Sequence, residues 1–332
     1  AGRPKLAGTE TVLLEIFRTS AAPVRRAALR LLERAGRPPE RRALEQASVA
    51  ATDAKADPEL RADSLGLLAL GPPQQALYEK LVDPREPEPV QAAAVRALGQ
   101  LPGEAIGAFV LRGWRAMTPR VRNEAADALF REPGRVRLLL DAIQNDEVQP
   151  WTLEFRHKRQ IIMHRDPALR ERGRPLLESK AGDRVKVLQR YQAVLDREGD
   201  AGRGRQVFER VCAKCHKLGS LGAEVGPDLA TVRNRTPDAL LRDILIPSEA
   251  IAQTYEAYVV ETGTRGIIEG VLGPQTPTTL TIKHEEGKQD VIPRGEIRRM
   301  YASNLSAMPE DLDKQVSVEQ RGDLLKFLKT AR

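Results

Sequence analysis

Between residues 8 and 145 one small pattern of apolar and polar positions returns four times. Ala22-Pro23-Val24-Arg25 leads into Ala28, Leu29 and Leu32, and Asp57-Pro58-Glu59-Leu60-Arg61 leads into Leu65 and Leu68. Glu88-Pro89-Val90 leads into Ala94, Val95 and Leu98, and Pro119-Arg120-Val121-Arg122 into Ala125, Ala126 and Leu129. Val24, Leu60, Val90 and Val121 are separated by 36, 30 and 31 residues, which is a repeat period. Each proline falls where a helix begins and its missing N–H costs nothing, and apolar residues then recur at three and four. A second apolar segment follows each opening, at 43–51, 76–82, 106–114 and 136–143. A single helix pair cannot bury its apolar faces, so the expectation is a stack of pairs, an α-solenoid. Leu, Val and Ala would fill its seam and Arg-rich faces would be solvated.

The Pro-x-Val-Arg openings resemble those of HEAT-type repeats, at a shorter period. Past residue 149 the repeat fades while helical spacing continues through Phe155, Ile161, Ile162 and Met163, then Leu169, Leu176 and Leu177, then Val185, Leu188, Tyr191 and Leu195. Gly199-Asp200-Ala201-Gly202 marks a boundary. Beyond it Gly204 and Phe208 share one side of a helix, Thr236-Pro237 caps and opens another that Pro247 stops, and Ser317-Val318-Glu319-Gln320 is a capping box for a last helix with Leu324, Leu325 and Leu328. From about 253 to 300 the period changes to that of strands: Tyr258-Val259-Val260, 266–271, Thr279-Leu280-Thr281-Ile282 and Asp290-Val291-Ile292, with Gly263 and Glu286-Gly287 as turns and Met300 closing the last strand. The predicted architecture is therefore mainly α. Residues 1–149 are expected to be repeats, 150–198 a helical connector, and 199–332 a second domain carrying a small antiparallel β-sheet insertion.

Length and composition agree with this division. A chain of 332 residues exceeds one ordinary core, and 4% aromatics with abundant Ala, Leu and Arg favours many small helices. The net charge of +7 divides into 34 Lys/Arg against 26 Asp/Glu up to Arg197, and 19 against 20 after it. Such a basic excess suits an acidic partner or an anionic membrane surface. The charges are interspersed and never form a block, which reads first as a solvated helical surface, and no nucleic-acid partner is expected. No apolar run of 18 residues is present, so no transmembrane segment is expected.

The candidate chemistry is Cys212-Ala213-Lys214-Cys215-His216, which uses both cysteines of the chain. Cys-x-x-Cys-His is the attachment signature of haem c: two thiols form thioethers with the two vinyl groups of one porphyrin, and the next residue lies under the iron. A redox dithiol would normally sit in a βαβ setting, which is missing here. A structural zinc would have to find its remaining ligands among His157, His164 and His284 with no second Cys/His pair at zinc spacing. A disulfide across two residues is strained. His157 and His164 are expected at the surface or lining the helices and carry no site. Haem is attached to such motifs on the outer side of the bacterial inner membrane. Ala1-Gly2-Arg3-Pro4-Lys5 is no secretory signal, so an exported, periplasmic chain is expected whose signal lies outside this sequence.

A closed electron carrier needs a sixth iron ligand, and thioether raises the potential of a His-ligated haem. Of four methionines, Met117 and Met163 fall in helical segments where core filling is the ordinary role, and Met300 falls on a strand. Met308 lies in an irregular loop before Pro309, which biases it toward extended geometry. Met308 is the predicted distal ligand, with Met300 as the alternative and His284 weaker.

Taken together, these residues resemble the planctomycete and verrucomicrobial-type haem-binding domain, a c-type cytochrome family often preceded by HEAT-like repeats. The matching features are Asp183-Arg184 with Tyr191, Gly199-Asp200 with Gly204 and Phe208, the Cys212 to His216 motif, Gly226-Pro227-Asp228-Leu229, Ile246-Pro247-Ser248 with Ile251 and Tyr255, and Ser306-Ala307-Met308-Pro309-Glu310. Asp311 stands where the family tends to carry glycine. The resemblance implies that Pro227 offers its carbonyl to His216, that Leu229 packs on the haem edge and that Arg235 meets a propionate. It also implies a mono-haem cytochrome c domain and, outside this chain, a dehydrogenase domain of the propeller type. The expected function is electron transfer through one covalent haem c, ligated by His216 and Met308, on a helical arm that docks a redox partner. Two alternatives stay open: a peroxidase-like haem enzyme with a displaceable sixth ligand, and an interaction scaffold in which haem is structural.

Overall fold

A computed structural model describes residues 9–36, 38–177, 184–249 and 251–331. The stretch through Gly8, Asp183, and the side chains of Arg184 and Val185 lie outside the described residues. Two units result: one reaching Asn145 and including Thr276–Thr278, the other starting at Asp146 and holding the rest.

The first unit is helical: α1 (Glu10–Thr19), α2 (Ala22–Ala35), α3 (Arg41–Thr52), α4 (Pro58–Leu68), α5 (Gln75–Leu81), α6 (Glu88–Gln100), α7 (Glu104–Gly113), α8 (Pro119–Leu129) and α9 (Pro133–Gln144). The four repeat openings are the first turns of α2, α4, α6 and α8, each with proline at its start. At α4 the Asp57 carboxylate also accepts the N–H groups of Glu59 and Leu60 at 3.1 and 3.0 Å. These four helices stack in order, α2 on α4, α4 on α6 and α6 on α8, with α3 against α4 and α5 against α6. Small residues set the approach: a Cβ on Gly66 would lie 2.7 Å from Leu29 of α2, and one on Gly99 would lie 2.7 Å from the Ala128 Cβ of α8. The seam residues Leu65, Leu68, Val90, Ala94, Leu98, Val121, Ala125 and Leu129 are buried.

The arginines depart from expectation. In three of the four openings one arginine is not solvated: Arg25, Arg61 and Arg122 are buried, while Arg120 stays exposed, and Arg135 of α9 is fully buried. Each folds back onto backbone carbonyls near helix ends. Arg25 donates to Ser20 O at 3.3 Å, Arg61 to Ala51 O at 3.0 Å, Arg122 to Met117 O at 3.1 Å and Arg135 to Gly103, Gly99 and Ala128. Gln91, in the same place at the start of α6, donates to Glu86 O at 2.8 Å.

The second unit contains α10 (Phe155–Ile162), α11 (Pro167–Leu176), α12 (Arg184–Tyr191), α13 (Ala201–Val207), α14 (Pro237–Leu245), α15 (Leu312–Gln315) and α16 (Val318–Thr330). Of the surface or lining places expected of His157, it takes the lining one and is fully buried on α10. The apolar reading of this segment fails in part: Phe155, Ile162 and Met163 are exposed, so Met163 fills no core. Met117 does, at 2% exposure.

The insertion is a five-stranded antiparallel sheet of order β4-β3-β2-β1-β5, built from β1 (Ala257–Thr262), β2 (Ile267–Gln275), β3 (Thr279–Lys283), β4 (Gln289–Pro293) and β5 (Ile297–Ala302). Met300 lies within β5, a strand that the run of apolar residues does not mark out. It pairs with Val260 of β1 and is buried among Tyr258, Leu280, Ile282 and Ile292. The two edge strands β4 and β5 are joined by the single turn Arg294–Glu296. Four residue steps span at most about 14 Å, and five flat strands would put the edges about 19 Å apart. The sheet is therefore curled, which brings its two edge strands together at the end where that turn joins them.

Candidate functional site

Helices α13 and α16 cross at glycines and hold the cysteine turn. A Cβ on Gly204 would lie 2.0 Å from the Asp323 carbonyl oxygen, and one on Gly199 would lie 2.2 Å from that of Gly322. The crossing is fastened by Asp323, which accepts the Asp200 N–H at 2.7 Å and the Arg203 guanidinium at 2.7 and 3.0 Å. Those donors hold the Asp323 carboxyl below its ordinary range. Beyond α13 the chain widens into a π-helical turn, Phe208–Cys212, in which Ala213 N–H reaches Phe208 O at 2.8 Å. Phe208 is fully buried and its ring lies 5.6 Å from that of Phe327.

The motif itself is one turn. Cys215 and His216 both donate their N–H to Cys212 O, at 3.1 and 2.9 Å. Both cysteines carry free thiols, half-buried. Burial pushes Cys212 up to about 12; burial and then the Glu285 carboxylate push Cys215 up as well. A reactive dithiol has its thiols shifted the other way.

His216 is held from three directions. Its Nδ1–H donates to the Pro227 carbonyl at 2.9 Å, which leaves the lone pair of Nε2 as the donor available to a metal. Its ring lies against Gly226, where a Cβ would come within 2.6 Å of Cε1. Gly222, at φ +82°, allows the loop to pass the His216 carbonyl, which a Cβ would strike at 2.0 Å. Val225 and Gly226 both donate to Cys215 O, and Ala223 donates to Ala213 O, so residues 217–229 wrap the turn. Burial lowers the imidazole's proton affinity.

Leu229 packs with Phe208, Cys212 and Ala213 in a cluster that includes Val207, Leu218 and Leu324. Arg235 is exposed and paired with Asp243 at 2.9 Å. Met308 lies half-buried in the loop between β5 and α15. Its N–H donates to Ser306 Oγ and the Ser306 N–H to Ser248 Oγ, both at 3.1 Å, so this loop is tied to the chain just after α14. Tyr191 donates to Asp313 O at 3.0 Å and stacks under the buried Arg321 guanidinium at 4.1 Å, which fixes α15 against α16.

The donor set fits a haem better than a bare ion. Among the described residues no three His, Cys, Asp or Glu gather to hold a metal, and His284 Nε2 lies 2.8 Å from Asp290. One free imidazole nitrogen, two thiols on one turn and a glycine that keeps the ring face clear are what an attached porphyrin requires. Residues 201–275 match the family model of cytochrome c, and no curated protein matches the chain. The match supports a c-type cytochrome domain in this unit. It runs from α13 through the motif into β2, so the cytochrome match stops short of Met308. Such a domain implies haem c with iron, and with it redox exchange with a partner. Among the described residues no helix is long and apolar enough to cross a membrane.

Three features of the cytochrome site had little sequence signal. The Asp323 fastening joins residues 120 or more apart, and the Ser248–Ser306 tie joins residues 58 apart. The third is a bond from Glu286 N–H to Lys214 O at 2.7 Å, for which only the Glu286-Gly287 turn signal was visible.

Proposed function

We propose that this chain is a mono-haem electron carrier: haem c attached through Cys212 and Cys215, with His216 as proximal ligand and Met308 as distal ligand. The observation that carries the reading is the His216 ring, with Nδ1 on Pro227 O, its face against Gly226 and both cysteines on the same turn. When bound, the haem supplies a one-electron Fe(III)/Fe(II) couple. The protein's part is to fix the tautomer and plane of His216, to line the attachment turn with Phe208, Leu221 and Leu229, and to hold the Met308 loop by Ser248. Met300 is spoken for by the sheet core, which favours Met308. Arg235 would have to leave Asp243 to meet a propionate.

Residues 1–149 are read as HEAT-like repeats and, with the helical connector 150–198, as the arm whose basic surface docks an acidic redox protein. Export to the periplasm and a dehydrogenase domain elsewhere in a longer protein complete the proposal. The test is a pyridine haemochrome assay on the exported protein after acid-acetone extraction. One haem per chain with both vinyl groups converted to thioethers is expected. Colour that is stripped by the solvent overturns the reading, and an open sixth position in both oxidation states favours peroxide chemistry.

A further inference from the structure

The turn between β3 and β4, Glu285–Gly287, reaches the attachment loop. The Glu286 N–H donates to the carbonyl of Lys214, which lies between the two cysteines, at 2.7 Å. From the end of β3, Lys283 Nζ donates to the Glu224 carbonyl at 3.0 Å. Glu224 is followed by Val225 and Gly226, whose N–H groups hold Cys215 O at 3.0 and 2.7 Å. The hairpin thus grips the chain on both sides of Cys215. Its own end is closed by His284 and Asp290 at 2.8 Å, and Glu286 takes φ +61°, a left-handed conformation that a non-glycine residue keeps only where its surroundings hold it. Glu286 is paired with Lys288 at 2.8 Å, which leaves Glu285 as the carboxylate of this turn with no salt bridge among the described residues. Glu285 is the exposed neighbour of Glu286, so its carboxylate belongs to the turn that holds the Lys214 carbonyl.

We propose that the β3–β4 turn is a positioning device for the attachment loop, and that Glu285 is placed there to lower the reduction potential of the haem. This rests on the electron-carrier reading above. An oxidised haem carries one more positive charge than a reduced one, so a fixed negative charge beside the attachment turn favours the oxidised form. Glu285 is exposed, so its effect is screened by salt.

The test is a redox titration of the intact haem-loaded chain and of its Glu285→Gln and Glu285→Lys variants, with haem content measured on the same samples. Glu285→Gln should raise the midpoint potential and Glu285→Lys should raise it about twice as far, since the change in charge doubles. Both shifts should shrink between about 10 mM and 1 M salt, where the Debye length falls from about 30 to about 3 Å. A purely structural role would not give this graded order. The positioning half is read by amide exchange: the Glu286 N–H should be protected although its turn is exposed. Glu286→Gly, which keeps the donor and suits φ +61°, should leave Val225 and Gly226 protected, whereas Glu286→Pro should speed their exchange. Potentials of both Glu285 variants equal to wild type at low salt, with full haem content, overturn the role of Glu285. A wild-type Glu286 amide that exchanges as an unprotected turn overturns the positioning role. Absence of covalent haem in the wild type would instead sink the reading on which this rests, and the exchange measurements would still decide whether the turn holds the loop.

Discussion

The contact between Gly226 and the His216 ring is the tightest constraint on a single residue in the site. Gly226→Ala would bring a Cβ to 2.6 Å from Cε1, and neither the ring, bonded to Pro227 O, nor the loop, bonded to Cys215 O, has room to yield. The expected outcome is a several-fold lower haem content per chain. Pro227→Ala keeps the carbonyl that His216 uses and should retain nearly full loading, so an equal loss in both variants would sink this account. The methionines separate in the same way. Met308→Ala should abolish the red charge-transfer band of a Met-ligated oxidised haem, lower the potential and admit small ligands. Met300→Ala should keep the band and lose about 2–5 kcal/mol of stability, because Met300 is 3% exposed in the sheet core. Loss of the band in Met300→Ala alone would reverse the assignment. The attachment motif was plain in the sequence because its residues are contiguous. The glycine that frees the ring was visible only as part of Gly226-Pro227-Asp228-Leu229, since a backbone approach leaves no periodic trace.

Among the elements, helix starts were legible, and helix faces only where the repeat marks them. Proline and cap residues act within one turn, so the openings of α2, α4, α6, α8, α14 and α16 follow from local chemistry. Which face of α10 is buried depends on its neighbours, so Phe155, Ile162 and Met163 read as core but lie exposed, while His157 is buried. The fifth strand was hidden because Arg298 and Arg299 interrupt its alternation. The crossing of α13 and α16 shows what such non-local contacts do. Gly204→Ala should lower stability by about 1–3 kcal/mol or more, since the atom it meets is backbone; the denaturant midpoint should fall with the slope unchanged. The Asp323 fastening adds a pH dependence. Its carboxyl is depressed in the folded state, chiefly by Arg203, so its contribution is present above the ordinary carboxylate value of about 3.9 and is lost as pH falls through the lower folded value. Arg203→Gln should raise the folded value toward the ordinary one and move the acid-unfolding midpoint to higher pH. An unchanged midpoint would show that the pair does not contribute.

For the whole molecule, the division of the chain changes how its charge is read. Counted to Arg197 the basic excess looked like a property of the first half, but the contact boundary lies at Asn145, where Asp146 takes φ +59°. Residues 1–145 hold 22 Lys/Arg against 18 Asp/Glu, and the remainder holds 31 against 28, so the excess is +4 and +3. Within the second unit it gathers ahead of the cytochrome match, where residues 146–197 hold 12 Lys/Arg against 8 Asp/Glu. There Arg156, Arg159, Arg165 and Arg174 are exposed in the same helical stretch as Phe155, which is 80% exposed. Composition gave the sign of this surface, and only the fold could say which arginines face water, because Arg25, Arg61 and Arg122 of the repeat openings turn inward onto carbonyls. A surface of exposed guanidinium groups beside apolar side chains suits an acidic partner by steering and by contact. The rate of electron exchange between the haem-loaded chain and an acidic small redox protein should therefore fall on the order of tenfold or more between about 10 and 150 mM salt. A basic redox protein of similar potential should react more slowly at low salt and gain as salt is added. Arg156→Glu combined with Arg159→Glu should remove most of the difference between the two partners while leaving haem content and spectrum as they were. Rates that do not depend on salt, or that are equal for acidic and basic partners in the wild type, would rule out docking through this basic surface.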